Sequence, residues 1–108
     1  FANNKFILQQ RGTNDIWQKM YELPIIESNS TLKINKLRNH NFLQQFNIQS
    51  IKKDLSIKHP LSHQILHIVF WHISVQNIQA HFHMISHDEI SKYPIPRPLE
   101  RYFEIKYK

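Results

Sequence analysis

Histidine is the residue type here with the widest chemical reach, and the chain carries eight. His81 and His83 stand two apart and face the same way on a strand, as do His63 and His67, four apart. A zinc site needs three or four converging ligands and groups behind them that orient the rings. The one neighbouring run of carboxylates, Asp88-Glu89 beside His87, falls in a segment that reads as loop. These histidines are therefore assigned as solvated or hydrogen-bonded strand residues, and no metal site is assigned. Ser62-His63 has the composition of a nucleophile and its base, but adjacent residues on a regular strand point to opposite faces. Acidic residues number eight and are scattered singly apart from Asp88-Glu89. A phosphate-cleaving magnesium site needs clustered oxygen ligands. One glycine, Gly12, cannot build a phosphate cradle. No catalytic residue is assigned.

Charge points elsewhere. Fourteen Lys and Arg against eight Asp and Glu give a net charge of +6, with pI near 9.7. That balance favours a polyanionic partner, nucleic acid or an anionic membrane face. Lys52, Lys53 and Lys58 precede the Pro60 region and are candidates for phosphate contacts, a solvated face being the alternative. Trp17, Phe70 and Trp71 are assigned to the core rather than to base stacking. The longest apolar run, Ile68-Val69-Phe70-Trp71, is far too short to cross a bilayer, and no signal peptide is visible. The first residue is Phe, so the chain is expected to be a piece of a longer protein. Without cysteine it forms no disulfide and holds no cysteine-ligated metal, and its redox compartment stays open.

The length of 108 residues suits one domain with one core. Asn3-Asn4 predicts a tight hairpin turn feeding a strand over Lys5–Gln10, because Asn tolerates positive φ. Arg11 to Asp15 reads as loop, and Trp17 to Ile26 as extended, with Pro24 marking an edge or bulge. Ile34, Leu37, Phe42, Leu43 and Phe46 recur at roughly helical spacing, which places a helix within 31–46, capped by Ser30 or Thr31. Ile51, Leu55 and Ile57 alternate with lysines as a strand with one wet face, broken by His59-Pro60. Ser62 to Val75 is apolar on both faces and predicts a central strand covered on both sides. Ala80–Ile85 reads as a further strand. Pro94, Pro96 and Pro98 lead into a last helix over about 98–107, with Leu99, Tyr102 and Phe103 on its apolar side. The order of elements is that of an α+β fold.

Three segments carry a family resemblance. Phe6-Ile7-Leu8-Gln9-Gln10-Arg11 followed by Ile16-Trp17-Gln18-Lys19-Met20-Tyr21-Glu22-Leu23-Pro24 is similar to a strand ending in Q-R and then a W-x-x-L-(W/Y)-E-(F/L)-P run. His59-Pro60-Leu61-Ser62-His63 resembles an H-x-(F/L)-(S/T)-H loop. Tyr93-Pro94-Ile95-Pro96-Arg97 resembles a proline-containing segment before a final helix. In this order, over residues 6–104, they resemble the C-terminal, Nudix-like domain of the bacterial MutY family of A/G-specific adenine DNA glycosylases. The resemblance implies a single Nudix-like domain over 1–108, a mixed sheet packed between helices, without hydrolase chemistry. The chain agrees on its own terms: Glu27 to Arg38, where an active Nudix hydrolase carries its Gly- and Glu-rich box, holds one acidic residue.

The same resemblance implies a role in base excision repair in the bacterial cytoplasm, at the nucleoid. The domain would clamp duplex DNA at an 8-oxoguanine paired with adenine. An upstream catalytic domain of the same chain, carrying a 4Fe-4S cluster, would flip and excise the adenine. Leu61, Ser62 and His63 are the residues it places at the lesion. The chemistry is intelligible: oxidation at C8 turns guanine N7 from an acceptor into an N–H donor and adds a carbonyl oxygen. A Ser62 hydroxyl or a neighbouring backbone carbonyl accepts from that N–H, His63 donates to the new oxygen or a phosphate, and Leu61 wedges against the stack. The alternatives are a protein-interaction module on the same scaffold and an active hydrolase of oxidised nucleotides.

Overall fold

The structure is a computed structural model describing residues 1–12, 19–28 and 32–107. Its first feature is the expected turn. Asn3 and Asn4 have φ of 52° and 61°, and Ala2 and Lys5 exchange two backbone hydrogen bonds of 2.9 Å. Left-handed backbone at both central positions is what a two-residue hairpin requires, and Asn adopts it at lower cost than other side chains.

The extended segment that follows changes partner midway. β1 (Phe6–Ile7) pairs antiparallel with β6 (Met84–Ile85), whereas β2 (Gln9–Gln10) pairs antiparallel with β3 (Tyr21–Glu22). Leu8, between them, donates its N–H to the His83 carbonyl at 2.9 Å and is 1% exposed. The single strand expected over 5–10 is thus two short ladders joined at a buried leucine. Among the described residues, the extended segment expected over 17–26 contains one strand of two residues, and Trp17 lies outside them.

The expected helix within 31–46 is present as two pieces, α1 (Ile34–Arg38) and α2 (Asn41–Gln44). His40 causes the break. Its backbone is extended, and its Nδ1 accepts from the Phe42 N–H at 3.2 Å, so it starts a new helix instead of continuing the old one. Ser30 and Thr31 lie outside the described residues, and Lys33 occupies the N-cap of α1. Leu37 and Leu43 are buried, as their spacing predicts.

A long hairpin dominates the chain: β4 (Ile48–Pro60) runs antiparallel to β5 (Ile65–Val75). His59-Pro60 does not break β4, contrary to expectation; the ladder runs to a Pro60–Ile65 pair. The proline lacks an N–H, but it is the last residue of a strand with one partner, where no donor is needed outward. Nor is β5 central: among the described residues β4 is the one strand it pairs with, and its far edge meets only Phe1, which donates to the Ile73 carbonyl and accepts from the Val75 N–H, both at 3.0 Å. Two residues of β4, Gln49 and Asp54, are extra in the register, each a bulge.

Residues directly opposite in an antiparallel pair share a face. Ile57–Ile68 and Leu55–Phe70 therefore lie on one face, and Ile57 is 4% exposed. Against that face packs α3 (Arg97–Lys106), with Pro98 in its first turn and Leu99, Tyr102 and Phe103 buried. Phe70 stacks on Tyr102 with centroids 4.1 Å apart and planes 10° apart, and Phe6 stacks on Phe103 at 5.4 Å. The core is this junction of hairpin, α3 and the Phe6–Leu8 segment with Ile85. The segment expected as a strand over 80–85 pairs only at Met84–Ile85, and His87-Asp88-Glu89 starts a 3₁₀ helix (His87–Lys92) closed by a reciprocal Ser86–Glu89 cap. The α+β class holds. Every ladder among the described residues is antiparallel and two-stranded, so the sheet is not the mixed one expected.

Candidate nucleic-acid interface

Local sequence determines the hairpin tip. After the Pro60–Ile65 rung, the Leu61 N–H donates to the Gln64 carbonyl at 2.7 Å and closes the loop. Leu61 is half-buried, while Ser62 and His63 stand exposed at the apex. A tight closure on a long two-stranded stem holds their backbone while leaving hydroxyl and imidazole open to solvent. All three residues predicted to meet a lesion are thus together, at the end of the longest element of the chain.

The three lysines do not stay together. Lys58 is opposite His67 and Lys53 opposite Trp71, so both project from the outer face of the hairpin with Ser56 and Val69. Lys52 is opposite His72, on the other face. Lys53 and Lys58 are five apart, which in a regular strand means opposite faces. The bulge at Asp54 restores them to one face. Lys53, Ser56, Lys58, His67 and Val69 line a shallow groove of about 430 Å³.

Asp54 leaves the ladder toward α3. It accepts from the Tyr102 hydroxyl at 2.7 Å and pairs with Lys106 at 3.0 Å. Burial pushes the Asp54 carboxyl upward, but the hydrogen bonds from Tyr102 and Lys106, with the Lys106 charge, more than offset this and hold it below the ordinary aspartate value. Burial and the adjacent carboxylate push the Tyr102 phenol up. His72 is held below the usual histidine value, first by burial and then by Lys106, with a smaller push from Lys52, and the opposing pull of Asp54 does not offset them. Its buried Nε2 has no hydrogen-bond partner among the described residues, and the ring of Phe1 meets it edge-on at 4.9 Å.

The other histidines do not converge. His83 hydrogen-bonds the Tyr93 hydroxyl at 3.0 Å, and His81 packs on Phe82. His63 is in the turn whereas His67 is in β5, so the two do not form one strand face as expected. Among the described residues, no three His, Asp or Glu side chains are grouped to hold a metal ion. Glu22 is paired with Arg11, and Glu89 with the Ser86 backbone and hydroxyl. Phe70 is half-buried and packs against the core; Trp71 is half-buried on the outer face, not in the core expected for it. From sequence, His67 was weighed only as a metal ligand and Ser56 not at all. The signal was hidden because the bulge reverses the parity on which their alignment with Lys53 depends.

Among the described residues, no helix is long and apolar enough to cross a membrane. The sequence matches the family described as a NUDIX domain over residues 1–104. No curated protein matches the chain.

Proposed function

The chain belongs to the NUDIX domain family, and from that premise we propose that it is a noncatalytic member that reads 8-oxoguanine paired with adenine in duplex DNA. In this reading it is the C-terminal part of a bacterial adenine DNA glycosylase of the MutY type. The upstream part flips and excises the adenine and holds the iron–sulfur cluster, for which this cysteine-free chain has no ligands. The observation that carries the proposal is the exposure of Ser62 and His63 at a closed hairpin tip, with Leu61 half-buried behind them.

That arrangement suits the chemistry of the lesion. The oxidised purine presents an N–H where guanine presents N7. The Ser62 hydroxyl accepts from it, while His63 donates to the C8 oxygen or to a phosphate. Leaving one of these groups unpaired costs about 1–3 kcal/mol, which is the discrimination expected. A hydroxyl also donates, so sharp selection needs the backbone and His63 to fix which role Ser62 plays. Sequence argues against hydrolysis, since the segment from Glu27 to Arg38 replaces clustered carboxylates with Lys33, Lys36 and Arg38.

The test compares duplexes containing 8-oxoguanine:adenine or guanine:adenine, binding the 108-residue chain and its Ser62→Ala/His63→Ala variant. The chain should prefer the oxidised duplex and the variant should lose that preference. Equal affinity of the unaltered chain for both duplexes sinks the reading. Magnesium-dependent release of pyrophosphate from an oxidised nucleoside triphosphate would replace it with hydrolase activity.

A further inference from the structure

We propose that the outer face of the hairpin is a phosphodiester track. The groove lined by Lys53, Ser56, Lys58 and His67 holds the backbone of a DNA strand and leads it toward the tip. This rests on the nucleic-acid reading above and adds to it the strand's path and the residues that bind it.

Three observations carry the proposal. The first is the donor set. Two ammonium groups, a hydroxyl and an imidazole line one groove, and each offers a hydrogen-bond donor to a phosphate oxygen. The second is the sign of the field. β4 and β5 together contain one carboxylate, Asp54, and the bulge turns it to Tyr102 and Lys106, away from Lys53 and Lys58. The third is alignment. The Lys58–His67 and Lys53–Trp71 rungs are separated by four residues of β5. That is about 14 Å at the antiparallel rise, a span of roughly four base-pair steps along a B-form axis. The groove is lined on the same long stem that ends in Ser62 and His63, so a strand lying in it arrives at the tip.

The occupant is a polyanion by charge. The four donors run among Val69 and Trp71 along a stem only two strands wide, and that width fits one phosphodiester backbone better than the plane of an anionic membrane. Trp71, half-buried beside Lys53, lies at the end of the groove remote from the tip.

The experiment titrates the chain, Lys53→Gln/Lys58→Gln, His67→Asn and Ser62→Ala/His63→Ala with lesion-containing and undamaged duplexes over a range of salt. Loss of two phosphate contacts should weaken binding to both duplexes by about tenfold at low salt and flatten the salt slope by roughly 1.8. His67→Asn should weaken both duplexes to a smaller extent. The preference between duplexes should be unchanged by any track variant. Unaltered affinity and slope in the double-lysine variant would overturn the track, whatever the tip variant does. Lesion preference absent from the unaltered chain, with the slope still flattened by the lysine changes, would leave the track standing and remove the lesion reading. Vesicles with and without anionic lipid form a last arm. Lysine-dependent association with anionic vesicles, together with lysine-independent DNA binding, would assign the face to membranes and overturn the proposal.

Discussion

The Tyr102 hydroxyl donates to Asp54 at 2.7 Å, joining α3 to a bulged residue of β4 that has no counterpart across the ladder. The bond links two otherwise separate facts. It anchors the helix that closes the core, and it disposes of the carboxylate that would otherwise weaken a basic hairpin. Because the acceptor is charged and little exposed, Tyr102→Phe should destabilise the chain by about 1.5–3 kcal/mol. Phe70 keeps an aromatic ring to stack on, so the loss reports the hydroxyl alone. Urea unfolding at neutral pH measures it, and a change under half a kcal/mol would show that water serves Asp54 equally well.

Acid should dissolve the same anchor. The folded state holds the Asp54 carboxyl below its ordinary value near 3.8. The unfolded chain then takes up its proton first, so stability rises with pH through that window. The contribution is complete above about pH 5 and is lost as pH falls through the folded-state value. Asp54→Asn should therefore be less stable than the native chain at neutral pH, and the two should approach each other toward pH 2. A gap that stays constant with pH would separate the role of Asp54 from its charge.

His72 works with the opposite charge. Burial and the nearby Lys106 and Lys52 depress its folded-state value below 6.5, so it is the unfolded chain that binds the extra proton as pH falls. Stability should decline as pH drops from about 6.5 to the folded-state value, and level off below it. His72→Gln keeps a polar side chain and should remove that slope. Thermal unfolding of both chains between pH 7.5 and 5 is the measurement, and parallel curves would exclude His72 as the source.

The sequence made local features legible and left pairing partners obscure. The Asn3-Asn4 turn, the burial of Leu37 and Leu43, and α3 with Leu99, Tyr102 and Phe103 inward all follow from φ preference or from helical periodicity. Each of these depends on neighbours within a few residues. The break at His40 was not legible, because it depends on a ring nitrogen capping a second helix within an unbroken apolar pattern. The length of β4 was missed for a related reason. A proline interrupts a strand only if its missing N–H faced a partner, and sequence does not say which strands are edges. At the candidate interface, the adjacency of Leu61, Ser62 and His63 at one hairpin tip was legible, whereas the division of Lys52 from Lys53 and Lys58 was not. Parity along a strand assigns faces only while the ladder is regular, and one extra residue at 54 changes the assignment.

Deleting Asp54 separates the two consequences of that extra residue. On one side of it Lys53 pairs with Trp71, and on the other Leu55 pairs with Phe70. Without Asp54 these rungs become adjacent in a regular ladder, so Lys53, Ser56, Lys58 and His67 should remain on the outer face. The anchor is lost: Tyr102 and Lys106 lose their shared acceptor, and α3 loses its only carboxylate partner on the hairpin among the described residues. The deletion variant should thus be destabilised by at least the ~1.5–3 kcal/mol of the Tyr102 change, yet bind DNA with an undiminished salt slope at temperatures where it is folded. Removing Ser56 instead leaves the bulge but adds a second register change between Lys53 and Lys58, which throws the two lysines to opposite faces. That variant should bind DNA with a flatter salt dependence. If the two deletions prove alike in slope, the alignment of Lys53 with Lys58 has no part in holding DNA.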